Sequence, residues 1–485
     1  MISGLGREQW GWLMQTWIVG GLVLFYAVFV AIGEEHLYAV ANQIGPLLLM
    51  VSSLVMAYYL VRLQPLAVWS PLPWFLVMYA LYYGFGPLTY IHGSEESIAH
   101  MDAYYPVRPY DLFRTGLLNA VALLCVCAGV MLAAPIFMSG ELPPREDKNR
   151  HDSEQYVRRI ILLFLTMGFP IKYVLSLPYQ LGLQDFIVPG GIAFLGKLVS
   201  LTIVLLVAYY HRLGPPYRLL CYLVIFSEVI TALMTFSKLE VLTVGLMLVL
   251  GLYLRQPRLR TLVLGGATLC ALYIVLVPFV LFARTVYEPR GVSSVAALTA
   301  SASEYRGIGT DEITTFLAGA QIWWTRLTYS NAQTYAMHAF DANEPGASLS
   351  LAGYALVPRI LYPNKPVMSI GDKYTEFVTG NATSTFTGPG IFAEAYWNGG
   401  WILVVGIGVF VGVILAGMGL FSVRAISSGR FVYLPIIFIG LIMGLRPDDW
   451  FVLVYIGGLI QAAVLYLMIM TFAHPLIVHT SLVRV

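Results

Sequence analysis

Acidic side chains in the last quarter of the chain are the first candidates for acid/base chemistry. Glu394 lies in the run IFAEAYWNGGW, which predicts a helical turn rich in aromatic residues just before a long apolar segment. Apolar surroundings favour a neutral carboxyl more than water does, which suits a general base. We therefore predict that Glu394 is catalytic; the alternative is an interfacial carboxylate that is only hydrogen-bonded. Asp448, in the turn RPDDW, and His338 are secondary acid/base candidates.

Cationic side chains form a second set. Guanidinium groups keep their proton and bind phosphate oxygens in pairs, so several converging arginines would make a diphosphate site. The alternative is that each arginine pairs with a nearby acid such as Glu288 or Asp341. Arg284 and Arg446 are favoured because each ends an apolar run. The predicted diphosphate-binding residues are Arg284, Arg326, Arg359, Lys365, Arg446 and Lys238.

Two ionisable residues also interrupt apolar runs. An ionised group near the bilayer centre costs about 2.5 to 3.5 kcal/mol, so Glu228 and Lys238 need a reason to be there. On one continuous helix Lys238 would lie roughly 15 Å beyond Glu228, at the outer interface. The alternative is a snorkelling lysine and a glutamate that is hydrogen-bonded to a neighbouring helix.

The elements that position these residues are membrane-spanning helices. Of 485 residues, 58% are hydrophobic and 11% are charged, and the mean hydropathy is +0.76. Runs of about 17 to 25 apolar residues match a hydrocarbon core about 30 Å thick. We therefore predict an all-α polytopic membrane protein with about twelve transmembrane helices. Their centres lie near Leu22, Leu54, Tyr82, Leu124, Leu165, Val204, Phe226, Leu248, Ile274, Val411, Ile439 and Leu459.

The composition also argues against several classes of site. The basic residues do not cluster as a nucleic-acid patch would, so no nucleic-acid partner is expected. All four cysteines lie in apolar runs without zinc-site spacing, which favours buried thiols over disulfides or metal ligands. The chain has no GxSxG, HExxH or P-loop motif.

Loop charges predict the orientation. Lysine and arginine concentrate in alternate short loops, which places both termini in the cytoplasm. Residues 1–283 then carry helices one to nine, residues 284–399 form a large outer loop with amphipathic helices, and residues 400–485 carry helices ten to twelve. In the loop, apolar residues recur at helical spacing after a predicted N-cap at Thr310. If that helix continued to His338, the imidazole would lie on its apolar face and would be packed rather than catalytic.

Two segments carry a resemblance to a known family. The run PRILYPNKP, followed by Tyr374, a Gly/Thr/Ser loop and GIFAEAYWNGGW, resembles the outer loop of bacterial oligosaccharide repeat-unit polymerases, the Wzy-like O-antigen polymerase family. The run TFSKLEVLTVGLMLVLGLYL is similar to that family's helix pair, in which a Ser-Arg step opens a new span. Here the step is Ser237 and Lys238. The lysine keeps the charge but lacks the bidentate fork of arginine.

The resemblance implies a metal-independent membrane glycosyltransferase of the GT-C class, at the periplasmic face of a bacterial inner membrane. Such an enzyme polymerises undecaprenyl-diphosphate-linked repeat units into O-antigen, capsule or exopolysaccharide. Arginines would hold the leaving diphosphate, and a carboxylate or histidine would take the acceptor proton. The resemblance implies no cofactor. Its implied partners are the lipid-linked oligosaccharide, membrane lipid, a chain-length regulator and a flippase.

Three alternatives stay open. An O-antigen ligase is a related enzyme that differs in its acceptor. A lipid-linked oligosaccharide flippase or another transporter would also have about twelve spans, but it more often has matching halves and short loops. A structural subunit of a polysaccharide secretion complex would need no converging cations.

Overall fold

The structure is a computed structural model that describes residues 7–138, 154–181, 183–184, 188–235, 238–287, 321, 323–355, 357, 362, 371–380 and 388–473. Within these ranges every regular element is a helix. Nine of the described helices are long and apolar enough to cross a membrane, so the chain is a multi-pass membrane protein. They are Gly11–Ile32, Glu35–Leu63, Pro109–Ala133, Glu154–Gln180, Gly190–Ala208, Pro215–Met234, Leu259–Leu276, Ile391–Ser427 and Val452–Phe472.

These helices confirm the predicted all-α polytopic class. Each of the nine contains one predicted span centre, and the other three centres fall in shorter or interrupted helices. Tyr82 lies in a π-helical turn, Ala80–Phe85, that interrupts its helix. Leu248 lies in the helix Lys238–Arg255, and Ile439 in the shorter apolar helix Phe431–Leu445.

The chain forms two compact units. Unit 1 comprises residues 1–145, 324–427 and 436–466. Unit 2 comprises residues 146–323, 428–435 and 467–485.

Unit 1 begins with two long helices, six shorter turns and helices, and another long helix. The first ends in front of Gly33, whose φ of 72° is the left-handed conformation that commonly closes a helix. A later helix starts after Ser70, whose hydroxyl accepts a hydrogen bond from the Leu72 N–H over 3.3 Å. The elements are α1 (Arg7–Ile32), α2 (Glu35–Leu63), α3 (Pro71–Tyr79), α4 (Thr89–His92), α5 (Glu95–Asp102) and α6 (Pro109–Met138).

Unit 2 contains the next seven helices. Pro170 begins a wide π-helical turn, Pro170–Ser176, because its ring removes a backbone donor. Thr235 leaves helical geometry with a ψ of 1°, so Glu228 and Lys238 lie on separate helices. The separate spans predicted around Phe226 and Leu248 agree with this, whereas the placement of Lys238 on one continuous helix with Glu228 is wrong. The elements are α7 (Glu154–Phe169), α8 (Leu177–Gln180), α9 (Gly190–Leu195), α10 (Lys197–Ala208), α11 (Pro215–Met234), α12 (Lys238–Arg255) and α13 (Leu259–Tyr287).

Three of the last six helices, and the start of a fourth, lie inside the segment predicted as the outer loop, residues 284–399. Of the amphipathic helix predicted after Thr310, residues 311–320 and 322 lie outside the described residues, and residues 323–325 are helical. The remaining elements are α14 (Ser330–Asp341), α15 (Ala352–Ala355), α16 (Gly371–Thr379), α17 (Ile391–Ser427), α18 (Leu434–Leu445) and α19 (Gly457–Met468).

Helices α6 and α17 pack at backbone distance in the centre of unit 1. A Cβ at Gly129 would collide with the carbonyl of Val409, and a Cβ at Gly412 would collide with the carbonyl of Val126. Small residues allow two membrane helices to approach this closely. The contact fixes α17 against α6 and so sets the position of the residues at the start of α17.

A break divides α17 into a short first helix and a long apolar one. Gly399 and Gly400 have non-helical backbone angles, and Gly400 has φ 62° and ψ −154°. Side chains other than hydrogen rarely tolerate such angles. The predicted boundary between residues 399 and 400 falls at this break. The short helix before it, residues 391–398, carries Glu394.

Candidate functional site

The candidate site lies in unit 1, where the start of α17 meets the turn formed by residues 446–451. Pro447 is the second residue of this turn, and its carbonyl oxygen accepts two hydrogen bonds. One comes from the backbone N–H of Ile391 at 3.2 Å, and the other from the Tyr83 hydroxyl at 2.7 Å. Gly390, with φ 79°, supplies the bend before α17. One carbonyl therefore ties three segments together.

Glu394 is completely buried beneath this turn. Its Oε2 accepts a hydrogen bond from the backbone N–H of Phe451 at 2.6 Å. The Ser348 hydroxyl lies beside the carboxyl, but Oε1 makes no hydrogen bond of normal geometry with the described residues. Asn398 donates to the Glu394 carbonyl at 2.8 Å. In this arrangement the Glu394 carboxyl anchors the 446–451 turn.

Asp448 lies in the same turn, with its carboxyl enclosed by protein. The Tyr329 hydroxyl donates to Oδ2 over 2.7 Å, and Oδ1 is buried without a hydrogen-bond partner among the described residues. Burial raises the pKa of Asp448 to about 6; the negative charge of Asp449 adds to this, while the Tyr329 hydrogen bond and Arg446 oppose it. Asp448 therefore titrates in the range where a carboxylate serves as a general base.

Tyr329 acts as a hydrogen-bond donor to this carboxyl. Burial, together with the negative charge of Asp448, raises the pKa of Tyr329 well above its ordinary value. The phenol therefore keeps its proton at neutral pH and orients Asp448.

Arg446 supplies the exposed cation of the site. Its Nη2 lies 2.5 Å from Oδ2 of Asp449, and 47% of its side chain is exposed against 12% for Asp449. The other oxygen, Oδ1 of Asp449, accepts from the backbone N–H of Trp450 at 2.8 Å. Asp449 thus holds one edge of the guanidinium, while the exposed part faces solvent with donors for an anionic oxygen.

An aromatic cluster lies beside the turn. The ring of Tyr374 is fully buried between Trp397 and Trp450, with centroid distances of 5.2 and 5.4 Å. Its hydroxyl donates to the carbonyl of Ala332 over 2.6 Å. The contacts join α14, α16, α17 and the turn into one rigid frame.

The structure brings three of the predicted site residues, Glu394, Asp448 and Arg446, to this frame. Arg326 is exposed in the turn that precedes α14, three residues before Tyr329. Arg284 lies near the end of α13, and Lys238 begins α12, both in unit 2. Arg359 and Lys365 lie outside the described residues.

His338 occupies a different place in unit 1. Its Nε2 lies 2.8 Å from Oδ1 of Asp111, and its Nδ1 lies 3.1 Å from the Tyr105 hydroxyl. The expected apolar packing of His338 is wrong, because a new helix begins at Ser330 and turns the imidazole toward polar partners on and beside α6.

Sequence reasoning missed several polar partners. Tyr329 gave no local signal, since its role depends on a contact 119 residues away in the chain. Arg114, which pairs with Asp341 at 2.6 Å, and Lys172 both interrupt apolar runs. The argument that singled out Glu228 could have found these two as well.

Glu228 has a buried partner in unit 2. Lys172 Nζ lies 2.6 Å from Oε1 of Glu228, and the glutamate side chain is fully enclosed. The Tyr173 hydroxyl donates to Oε1 at 3.0 Å, and Ser200 bonds Oε2. The structure therefore agrees with the alternative stated for Glu228, a glutamate hydrogen-bonded to a neighbouring helix, because Lys172 and Ser200 come from other helical segments.

Within the described ranges, no group of three or more His, Cys, Asp or Glu side chains is arranged to hold a metal ion. Comparisons with protein-family models, curated proteins and solved structures found no match to this chain.

Proposed function

We propose that this protein polymerises lipid-diphosphate-linked oligosaccharide repeat units. The observation that carries the proposal is the 446–451 turn, where the exposed guanidinium of Arg446 lies two residues from the enclosed carboxyl of Asp448. One group offers donors for a diphosphate, and the other has a pKa suited to proton transfer. The resemblance of GIFAEAYWNGGW to the outer loop of repeat-unit polymerases supports the same reaction.

The reaction is a glycosyl transfer. A hydroxyl oxygen of the acceptor unit forms a bond to the anomeric carbon of the donor glycan. The bond between that carbon and the diphosphate oxygen breaks, and the lipid diphosphate leaves with the electron pair. The acceptor proton passes to the Asp448 carboxylate. Arg446 stabilises the charge that develops on the leaving oxygen.

Three further residues have supporting roles in the proposal. Tyr329 orients Asp448 through its hydroxyl. Glu394 positions the turn, because its carboxylate accepts the hydrogen bond of the Phe451 N–H. Arg326 is an exposed second cation for the diphosphate. Arg284, Arg359, Lys365 and Lys238 stay predicted members of the diphosphate site.

The protein would lie in a bacterial inner membrane with about twelve spans, both termini in the cytoplasm and residues 284–399 in the periplasm. The 446–451 turn would then lie at the periplasmic face, where lipid-linked units are joined. A flippase supplies the units, and a chain-length regulator is a further partner.

The test is the length distribution of lipid-linked glycan in the source bacterium with and without this gene. Loss of the ladder, with single units accumulating on the outer side, supports the polymerase. Full-length chains left on the lipid carrier would indicate a ligase, and units trapped on the cytoplasmic side would indicate a flippase. An unchanged ladder would contradict all three.

A further inference from the structure

A second polar cluster lies in unit 1, where α6, α14 and α17 meet. Arg114 on α6 and Asp341 at the end of α14 form an ion pair, with Nη2 and Oδ2 separated by 2.6 Å. The hydroxyl of Tyr396 donates to Oδ1 of the same aspartate at 2.9 Å. Arg114 Nη2 also donates to the Tyr396 hydroxyl at 3.3 Å. The three groups form a closed triangle of hydrogen bonds.

This triangle remains open to solvent. The side chain of Arg114 is 21% exposed and that of Asp341 is 39% exposed. Arg114 donates to Asp341 and to Tyr396 through Nη2, and the N–H groups on Nη1 and Nε take no part in these two hydrogen bonds. Each carboxylate oxygen of Asp341 accepts one of the described bonds and keeps capacity for another. Adjacent donors and acceptors therefore face outward together.

Exposed aromatic rings flank the triangle. The guanidinium carbon of Arg114 lies 6.0 Å from the ring centroid of Tyr110, and the Trp401 ring meets the edge of Tyr396 at 5.3 Å. Tyr110 is 48% exposed and Trp401 is 37% exposed. A sugar ring presents C–H bonds on its face and hydroxyls at its edge. Its face can pack against an aromatic ring while its hydroxyls form hydrogen bonds with polar groups beside that ring.

The charge of the cluster favours a neutral ligand. The positive charge of Arg114 is balanced by Asp341, and the carboxylate of Asp111, which is bonded to His338, is balanced by the exposed Arg108 three residues before it. A phosphate or other anion would therefore meet no net positive charge from these side chains, whereas a hydroxyl can donate to the carboxylate and accept from the guanidinium at once.

The cluster is separate from the 446–451 turn. Glu394 and Tyr396 are two residues apart on one helical segment, which places their side chains roughly 200° apart around its axis. Glu394 contacts the turn through Phe451, and Tyr396 contacts Asp341. The short first helix of α17 thus has the candidate site on one side and the Arg114–Asp341–Tyr396 triangle on the other.

We propose that the triangle, with Tyr110 and Trp401, is a binding surface for a neutral oligosaccharide. The inference rests on the proposed function in one respect, since a polymerase must hold glycan beyond the reacting sugar. The surface would bind vicinal hydroxyls through Arg114 and Asp341 and one sugar face through an aromatic ring.

The experiment uses the full chain in lipid nanodiscs on an array of defined oligosaccharides. The array carries neutral hexose and N-acetylhexosamine chains beside matched chains that contain uronic acids. The proteins tested are the wild type, Asp341→Asn and Trp401→Leu. The control is Trp17→Leu, which removes an indole that is 75% exposed on α1. Size-exclusion profiles and apparent melting temperatures verify that each variant is folded.

We expect the wild type and Trp17→Leu to bind neutral chains equally, and Asp341→Asn and Trp401→Leu to bind about tenfold or more weakly, which corresponds to one lost contact of about 1.4 kcal/mol. No binding by the wild type would overturn the proposal. So would a preference for uronic-acid chains, or equal binding by Trp401→Leu and the wild type, which would make the exposed indole a membrane-interface residue.

This result is independent of the polymerase assay. Array binding that depends on Trp401, together with an unchanged glycan ladder in the deletion strain, would retain the surface and reject the polymerase. A lost ladder in the deletion strain without array binding would support the polymerase and reject the oligosaccharide-binding surface.

Discussion

Glu394 and Phe451 are joined by a buried hydrogen bond in which the Phe451 N–H donates to Oε2 over 2.6 Å. Glu394→Ala leaves this N–H without an acceptor, which costs about 1 to 3 kcal/mol. Glu394→Gln retains a carbonyl oxygen as acceptor. We expect the alanine variant to lose thermal stability and activity, and the glutamine variant to keep most of both.

The matched control is Glu376→Ala, because Glu376 is exposed on α16. Apparent melting temperature and polymer length are measured for all three variants. A stable Glu394→Gln variant whose rate falls by about 10² to 10⁴ would show instead that Glu394 is the general base, as the sequence predicts.

The second prediction concerns pH. Asp448 must be ionised to accept a proton, and its pKa is about 6. Below pH 6 the ionised fraction falls about tenfold per pH unit, so the rate should fall with it. Asp449→Asn removes the neighbouring negative charge and thereby lowers the pKa of Asp448. The acidic limb of the pH–rate profile, where the rate falls, should therefore move to lower pH. A profile without a limb near pH 6, or one that Asp448→Asn leaves unchanged, would contradict the assignment.

The free energy of unfolding should also depend on pH through Asp448. Its pKa is raised from 3.8 to about 6 in the folded protein, so between these values the folded state binds more protons than the unfolded state. The free energy of unfolding should therefore fall as pH rises from about 4 to 6, by at most about 3 kcal/mol. Asp448→Asn should flatten this part of the stability profile.

The third prediction concerns Arg446, which is half exposed and held by Asp449. Loss of a charge-assisted hydrogen bond to a diphosphate would cost about 1.5 to 3 kcal/mol. We expect Arg446→Gln to lower kcat/KM by about 10-fold to 100-fold and Arg446→Lys to lower it less. Arg108→Gln, at another exposed arginine, is the control. Equal kcat/KM values for Arg446→Gln and the wild type would remove Arg446 from the site.

The fourth prediction concerns the buried pair Lys172–Glu228 in unit 2. Lys172→Met or Glu228→Gln alone breaks the pair, and an uncompensated buried charge costs about 3 to 5 kcal/mol. The double variant should be more stable than Lys172→Met, because it leaves no unpaired carboxylate. Breaking the more exposed pair Arg158–Glu154 should cost less than 1 kcal/mol. If the stability losses of Lys172→Met and Glu228→Gln simply added in the double variant, direct coupling between the two side chains would be ruled out.

The fifth prediction concerns the break in α17. Gly400 has φ 62°, and a Cβ there would lie 2.9 Å from the ring of Phe340. Gly400→Ala should therefore destabilise the protein by more than about 1 kcal/mol. Gly406→Ala is the control, because nothing lies within 4 Å of a Cβ at that helical position. It should be neutral or stabilising by about 0.5 to 1 kcal/mol. Equal melting temperatures for Gly400→Ala and Gly406→Ala would contradict the expected strain of a side chain at residue 400.

The class of polytopic membrane protein could be predicted from the sequence because it depends on local hydropathy. Apolar run length identified nine helices that are long enough to span a membrane. It also separated the spans around Phe226 and Leu248, which the structure divides at Thr235. It could not anticipate the π-helical turn at Pro170–Ser176, because this depends on local backbone geometry.

Only part of the candidate site could be predicted from the sequence. Composition and position drew attention to Glu394, Asp448 and Arg446. The sequence could not show that Tyr329 bonds Asp448 or that Phe451 bonds Glu394, because both pairs are distant along the chain. Their proximity arises from the packing of α14 and the 446–451 turn around α17.

The most direct test of the account is reconstitution of the purified chain with lipid-linked repeat units extracted from the deletion strain. Wild-type protein in liposomes should convert single units into chains of two and more, releasing one lipid diphosphate for each glycosidic bond, while Asp448→Asn should release almost none. Single units that stay unchanged in the presence of folded wild-type protein would contradict the proposed glycosyl transfer.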